Sequence, residues 1–160
     1  MNPLAWLIGL ALPACGFSAA DGLPTPSLME ITHIVRPATP NTALAGPAGS
    51  TPAPDVVTPP YKLSADALFA LIQQVANSQP RTYQAALFPG QLQAHYVARS
   101  ALLNFPDLIM VQVRKDSPDR SELIVYSRSV YGRSDFGVNR KRVETWLAAL
   151  QMKLPPSSER

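Results

Sequence analysis

The sequence predicts an α+β domain: an antiparallel sheet of about four strands with two helices packed on one face, preceded by a proline-rich extension. Three observations lead there. Two stretches with apolar residues at helical spacing, 64–77 and from Asn139 onward, flank four stretches of strand character. The links between those four are too short for helical crossovers, which makes neighbouring strands antiparallel. Nine of the 17 prolines fall between Gly22 and Pro60, so the front of the chain is set apart from its globular back. With 160 residues, 46% of them hydrophobic, the chain fills one core and excludes two large domains.

The first 20 residues are read as a signal peptide and lipobox region. MNPLAWLIGLALPACG carries an apolar run from Leu4 to Leu12, then Leu-Pro-Ala-Cys, which resembles the lipobox of bacterial lipoproteins. The run is shorter than the roughly 20 residues needed to span a bilayer and suits a signal-peptide core. Cys15 is then the lipidated first residue of a mature chain anchored in a cell-envelope membrane and facing the periplasm. Cleavage after Ala20, in the small-x-small run Ser18-Ala19-Ala20, is the alternative and leaves a soluble periplasmic protein. No Lys or Arg precedes Arg36, so the usual basic start is missing.

Residues 21–60 form the extension. Proline holds φ and keeps its preceding residue out of the α region, so this part is extended or turn-like. It is either a tether or an arm wrapped on the domain, with Met29 to Val35 and Val56-Val57 as its apolar pieces. The domain follows over 61–154, and 155–160 is a tail. Ser64 caps the first helix, whose Leu68, Leu71, Ile72 and Val75 share a face, and Pro80 stops it. Strands follow over 81–87, 91–99, 108–115 and 122–130. In the second of them, Ala94, Tyr96 and Ala98 oppose Gln93, His95 and Arg99. Phe88-Pro89-Gly90 and Asp116-Ser117-Pro118-Asp119 supply turn chemistry. The last helix presents Val143, Trp146, Leu147 and Leu150 on one stripe before Pro155-Pro156.

The net charge of +3 is local in origin. SRSVYGRSDFGVNRKR, 127–142, holds Arg128, Arg133, Arg140, Lys141 and Arg142 against one acid, Asp135. A nucleic-acid binder spreads its charge further and interleaves it with aromatic residues, so no nucleic-acid partner is expected. One cysteine and two histidines make no zinc constellation, and no phosphate-binding loop or other cofactor motif occurs, so neither metal nor cofactor is expected.

Ser127, Ser129, Gly132, Ser134, Asp135, Gly137, Asn139 and Arg142 read S-x-S-x-x-G-x-S-D-x-G-x-N-x-x-R. This resembles the signature of the family catalogued as domain of unknown function 1499, found in bacteria and plant plastids. Ala98-Arg99-Ser100 followed by Phe105-Pro106-Asp107 is similar to its second block, and the likeness runs from about Arg36 to Leu150. Many members carry Pro-Asn-Cys where this chain has Pro40-Asn41-Thr42, so no role of that cysteine carries over. The resemblance implies a domain boundary and no reaction.

Three readings of the signature stay open. Three cations in the first turn of the last helix oppose its dipole at about 0.3–1 kcal/mol each, which burial of the apolar stripe outweighs without explaining them. In the first reading the helix-start amides, Ser127, Ser129, Ser134 and Asn139, with Arg99, Arg128, Arg133 and Arg142 around Asp135, hold an anionic small molecule, lipid headgroup or protein partner. In the second the motif is a structural turn: Asp135 and Asn139 cap the helix, Asp135 pairs with Arg142 or Arg128, and Gly132 and Gly137 supply positive φ. The third is a hydrolase that combines His95 with Ser127 or Ser129 and Asp135, although no G-x-S-x-G context accompanies it.

Overall fold

A computed structural model describes residues 22–31 and 34–156. The 1–20 region, with Cys15, lies outside these residues. Chain order is β1 (Thr42–Pro47), β2 (Val56–Thr58), α1 (Ala65–Asn77), β3 (Thr82–Phe88), β4 (Gln93–Arg99), β5 (Pro106–Ser117), β6 (Arg120–Ser129) and α2 (Val138–Gln151). The fold is α+β, with two α-helices and one six-stranded sheet in the order β2-β1-β6-β5-β4-β3 among the described residues.

The four strands expected from alternation appear as β3 to β6 and pair antiparallel in sequence order. Two strands are added and one pairing is parallel, which corrects the expectation of about four antiparallel strands. β1 inserts antiparallel against β6, and β2 lies parallel along β1 at the sheet edge. Both sit in the proline-rich stretch, where TALAGP offers no aromatic or β-branched alternation beyond Thr42. Their prolines fall where a sheet accepts them: Pro47 ends β1, and Pro59 and Pro60 follow the edge strand.

Both helices cover one face. Ser64 accepts a hydrogen bond from the Ala67 amide at 3.3 Å, and α1 buries Leu68, Phe69, Ile72 and Val75. α2 buries Val143, Trp146 and Leu150, with Leu147 packed at the margin. These meet Ala94, Tyr96, Ile109, Val111, Leu123 and Val125 from the sheet, and the Tyr96 and Trp146 rings stand edge to face at 5.8 Å. Each large side chain buried here contributes roughly 1.5–3 kcal/mol.

The other face is covered by the chain that precedes β1. Leu44, Met110, Ile124 and Tyr126 are buried there, with Met29, Ile31 and Ile34 packed over them. The Gln93 side chain pins this arm as a strand would: its carbonyl accepts from the Met29 amide at 2.8 Å, and its amide donates to the Met29 carbonyl at 2.7 Å. For these residues the arm reading holds over the tether. It also explains why Gln93 and His95, on the polar face of β4, are buried.

Candidate functional site

The signature residues converge at one end of the sheet, where β6 leaves, β1 and β5 begin, and α2 starts. Alternation along β6 sends Ser127 toward the helices, in step with Leu123 and Val125, and Arg128 toward the arm, in step with Ile124 and Tyr126. Asp107 on β5 shares the helix-side parity of Ile109 and pairs in register with Ser129.

Asn139, fully buried on the first turn of α2, is the hub. Its carbonyl Oδ1 accepts from Ser127 Oγ at 2.5 Å and from Arg142 Nη1 at 2.8 Å. Its amide Nδ2 lies 3.0 Å from the Asn41 carbonyl, 2.9 Å from Ser129 Oγ and 2.7 Å from Asp135 Oδ2. Asp135 accepts from the backbone amides of Gly137 at 3.0 Å and Asn139 at 2.8 Å, placing a carboxylate on the positive end of the helix. Gly132 and Gly137 do take positive φ, 85° and 79°, and the Gly132 carbonyl accepts from Asn41 Nδ2 at 2.9 Å. Arg142 Nη2 reaches Asp107 Oδ2 at 2.7 Å, with both side chains mostly buried.

This geometry distributes the nine expected anion-site residues among different tasks. Ser127, Ser129, Asp135, Asn139 and Arg142 are joined in the buried network, and the helix-start amides of Gly137 and Asn139 are occupied by Asp135. Ser134 stands at the surface and accepts from the Phe136 amide at 3.4 Å. Arg99, 4% exposed, donates to the Asn104 carbonyl at 3.1 Å and braces the turn between β4 and β5. Arg133 is exposed, and Arg128 lies on the opposite face of the sheet. The expected pairing of Asp135 with Arg142 or Arg128 is replaced: the partner of Arg142 is Asp107. Asp107 and Asn41 also belong to the network although neither is among the nine; both stand in short runs with family likeness, Phe105-Pro106-Asp107 and Pro40-Asn41.

The hydrolase arrangement is not assembled. His95 faces the arm, where its Nε2 hydrogen-bonds Gln93 Oε1 at 2.8 Å, while Ser127 and Asp135 lie with α2 on the other side of the sheet. Burial lowers the His95 pKa to about 4, so the ring is neutral at pH 7. Because the folded ring resists a proton that the unfolded one takes up near 6.5, stability falls as pH drops from about 6.5 toward 4. Urea unfolding at pH 5 and pH 7 checks this: His95→Gln should remove part of the loss seen in wild type, on the order of 1–2 kcal/mol.

The arm leaves a cleft of about 290 Å³ against the sheet, lined by Pro24 to Met29 on one side and by Leu108, Met110, Tyr126, Arg128 and His95 on the other. A second, more open hollow beyond Ile34 shares Met29, Tyr126 and Arg128 with it. Burial raises the pKa of the Tyr126 phenol, and the charges of Arg128 and Arg36 partly oppose that. Arg36 is engaged with Asp55 at 2.6 Å. Among the described residues Arg128 makes no ion pair. Among the described residues no group of three or more His, Cys, Asp or Glu side chains is placed to hold a metal, and no helix is long and apolar enough to cross a membrane.

Comparison with curated proteins finds no match. Among solved structures the chain is similar to the di-domain ARO/CYC BexL from the BE-7585A biosynthetic pathway, at 13% identity and a TM-score of 0.45. That likeness covers 59% of this chain and 43% of the other. The family model described as a protein of unknown function, DUF1499, matches residues 34–150, from the arm through the signature to the end of the α2 core stripe, and the chain belongs to that family.

Proposed function

We propose that the protein is a non-catalytic binding module of the cell envelope, exported and anchored through Cys15, that takes up an amphipathic anion in the cleft between arm and sheet. The observation that supports this is Arg128: a cation without a carboxylate partner among the described residues, at the junction of two hollows whose other walls are largely apolar. An apolar body finds Leu108, Met110 and Met29, and a carboxylate or phosphate finds the guanidinium. The volume of about 290 Å³ is at the small end of the range for small-molecule sites. Neutral His95 and the Tyr126 hydroxyl add polar groups without adding charge.

Dodecanoate titrated calorimetrically into the full chain tests the site. Binding is expected, weakened about tenfold by Arg128→Ala as a charge-assisted hydrogen bond is lost, with the unfolding midpoint unchanged. Absence of binding, or equal affinity in the variant, contradicts the reading. The anchor is tested separately by the mass of the mature N-terminus, expected to be acylated Cys15; a product beginning at Met1 opposes it. A purely architectural role for the whole protein is the second reading, favoured by the closed hydrogen-bond network around Asn139.

A further inference from the structure

The end of the sheet that carries the signature also presents the most exposed aromatic side chain among the described residues. Phe136 is 97% exposed, and Val138, 48% exposed, stands beside it on the same turn. Leu102, 78% exposed, caps the turn between β4 and β5, at the same end because Arg99 pairs with Pro106 and Asp107 with Ser129. Phe136 holds φ at 53°, a region that bulky residues rarely occupy. Packing does not reward it there. What holds it is the Asp135 carboxylate, which closes the turn over Phe136 by accepting from the Gly137 and Asn139 amides beyond it.

The charges around this tip have one sign. Asp135 is spent on helix amides, Asp107 on Arg142, and Glu144 on Arg140. Arg133 and Lys141 are exposed and make no ion pair among the described residues. A protein partner of ordinary interface size needs roughly 800 Å² of matched surface. Three separated apolar side chains on two turns, with the exposed cations Arg133 and Lys141 in the same stretch of chain as Phe136, instead match a lipid interface, where an aromatic ring enters the headgroup layer and each nearby base meets phosphates.

We infer that this end of the domain is a docking face for an anionic membrane surface, with Phe136, Leu102 and Val138 entering the interface and Arg133 and Lys141 contacting lipid phosphates. This goes beyond the ligand cleft and does not rest on it, since Arg128 points to the arm face.

The test uses the full chain with Cys15→Ser, so that no acyl chain is attached, and one environment-sensitive label at Phe136→Cys or at Met152→Cys. Met152, 86% exposed at the far end of α2, is about 20 Å away along the helix and serves as the control. With vesicles of phosphatidylglycerol and phosphatidylcholine in equal parts, the label at 136 should shift to the blue and the label at 152 should not. Vesicle affinity should fall about tenfold in Phe136→Ser and about fivefold in Arg133→Ala or Lys141→Ala. It should also fade in about 1 M salt, where screening lengths shrink to ~3 Å. No shift at 136, an equal shift at both positions, or equal affinity for pure phosphatidylcholine overturns the inference. Because Phe136 is almost wholly exposed, its substitution leaves the fold intact, which the unfolding midpoint verifies.

Discussion

Asn139→Ala lowers the unfolding free energy by about 3–4 kcal/mol, read as the urea midpoint at constant slope. The side chain is wholly buried and ties three other segments, β6, the Asn41 stretch and the Asp135 turn, to its own helix. Removing it takes one partner each from the Asn41 carbonyl, the Ser127 and Ser129 hydroxyls, Arg142 and Asp135, and leaves a buried cavity lined by these polar groups. Asn139→Asp should do little better. It retains the acceptor that meets Ser127 and Arg142 but loses the Nδ2 donor and brings a second carboxylate against Asp135. A loss below about 1 kcal/mol in Asn139→Ala would mean that the hub is not load sharing among these strands.

Arg142→Met is expected to cost about 3 kcal/mol. Methionine retains the stem that lies along the core but leaves Asp107, with only 12% of its side chain exposed, as an uncompensated carboxylate. Asp107→Ala alone should cost somewhat less, because Arg142 retains its bonds to Asn139 and Ser127. In the double variant the penalties should fall short of their sum by about 1–2 kcal/mol, since the stranded charge is then absent. Additive losses would show that the 2.7 Å pair contributes little.

Much of the architecture was legible in the chain. Alternation in Gln93 to Arg99 and the helical stripe through Val143, Trp146 and Leu150 report local periodicity, and the strands β3 to β6 and both helices follow from it. β1 was not legible, because Ala43, Ala45 and Gly46 are chosen for their fit beneath the helices and against Ile124, and small side chains carry no strand preference. β2 has only three residues and gains its place by pairing with β1. The polar look of Gln93 and His95 misled for a related reason: what covers them is a segment more than 60 residues earlier, and no local pattern reports a contact across that distance.

At the site, the signature revealed which residues act together but not on which side of the sheet each lies. Ser127 and Arg128 are adjacent in sequence and face opposite layers, one toward Asn139 and one toward the arm cleft. The crowding of positive charge that suggested a single anion pocket is resolved by division: Arg142 is internal, Arg128 faces the arm, and Arg133 and Lys141 face solvent beside Phe136. The two glycines were read correctly because positive φ is a backbone requirement that residue type discloses. The left-handed Phe136 could not be read that way, since its residue type opposes its conformation.

The central claim is that the family signature holds the fold together while ligand binding belongs to the arm face. Calorimetric titration of dodecanoate into Arg142→Met, at a temperature where the variant is still folded, tests it most directly. Affinity within about twofold of wild type is the result this account predicts, because Arg142 is committed to Asp107 on the helix side. A tenfold or greater loss in that variant, with Arg128→Ala binding normally, would place the anion site back in the signature turn and contradict it.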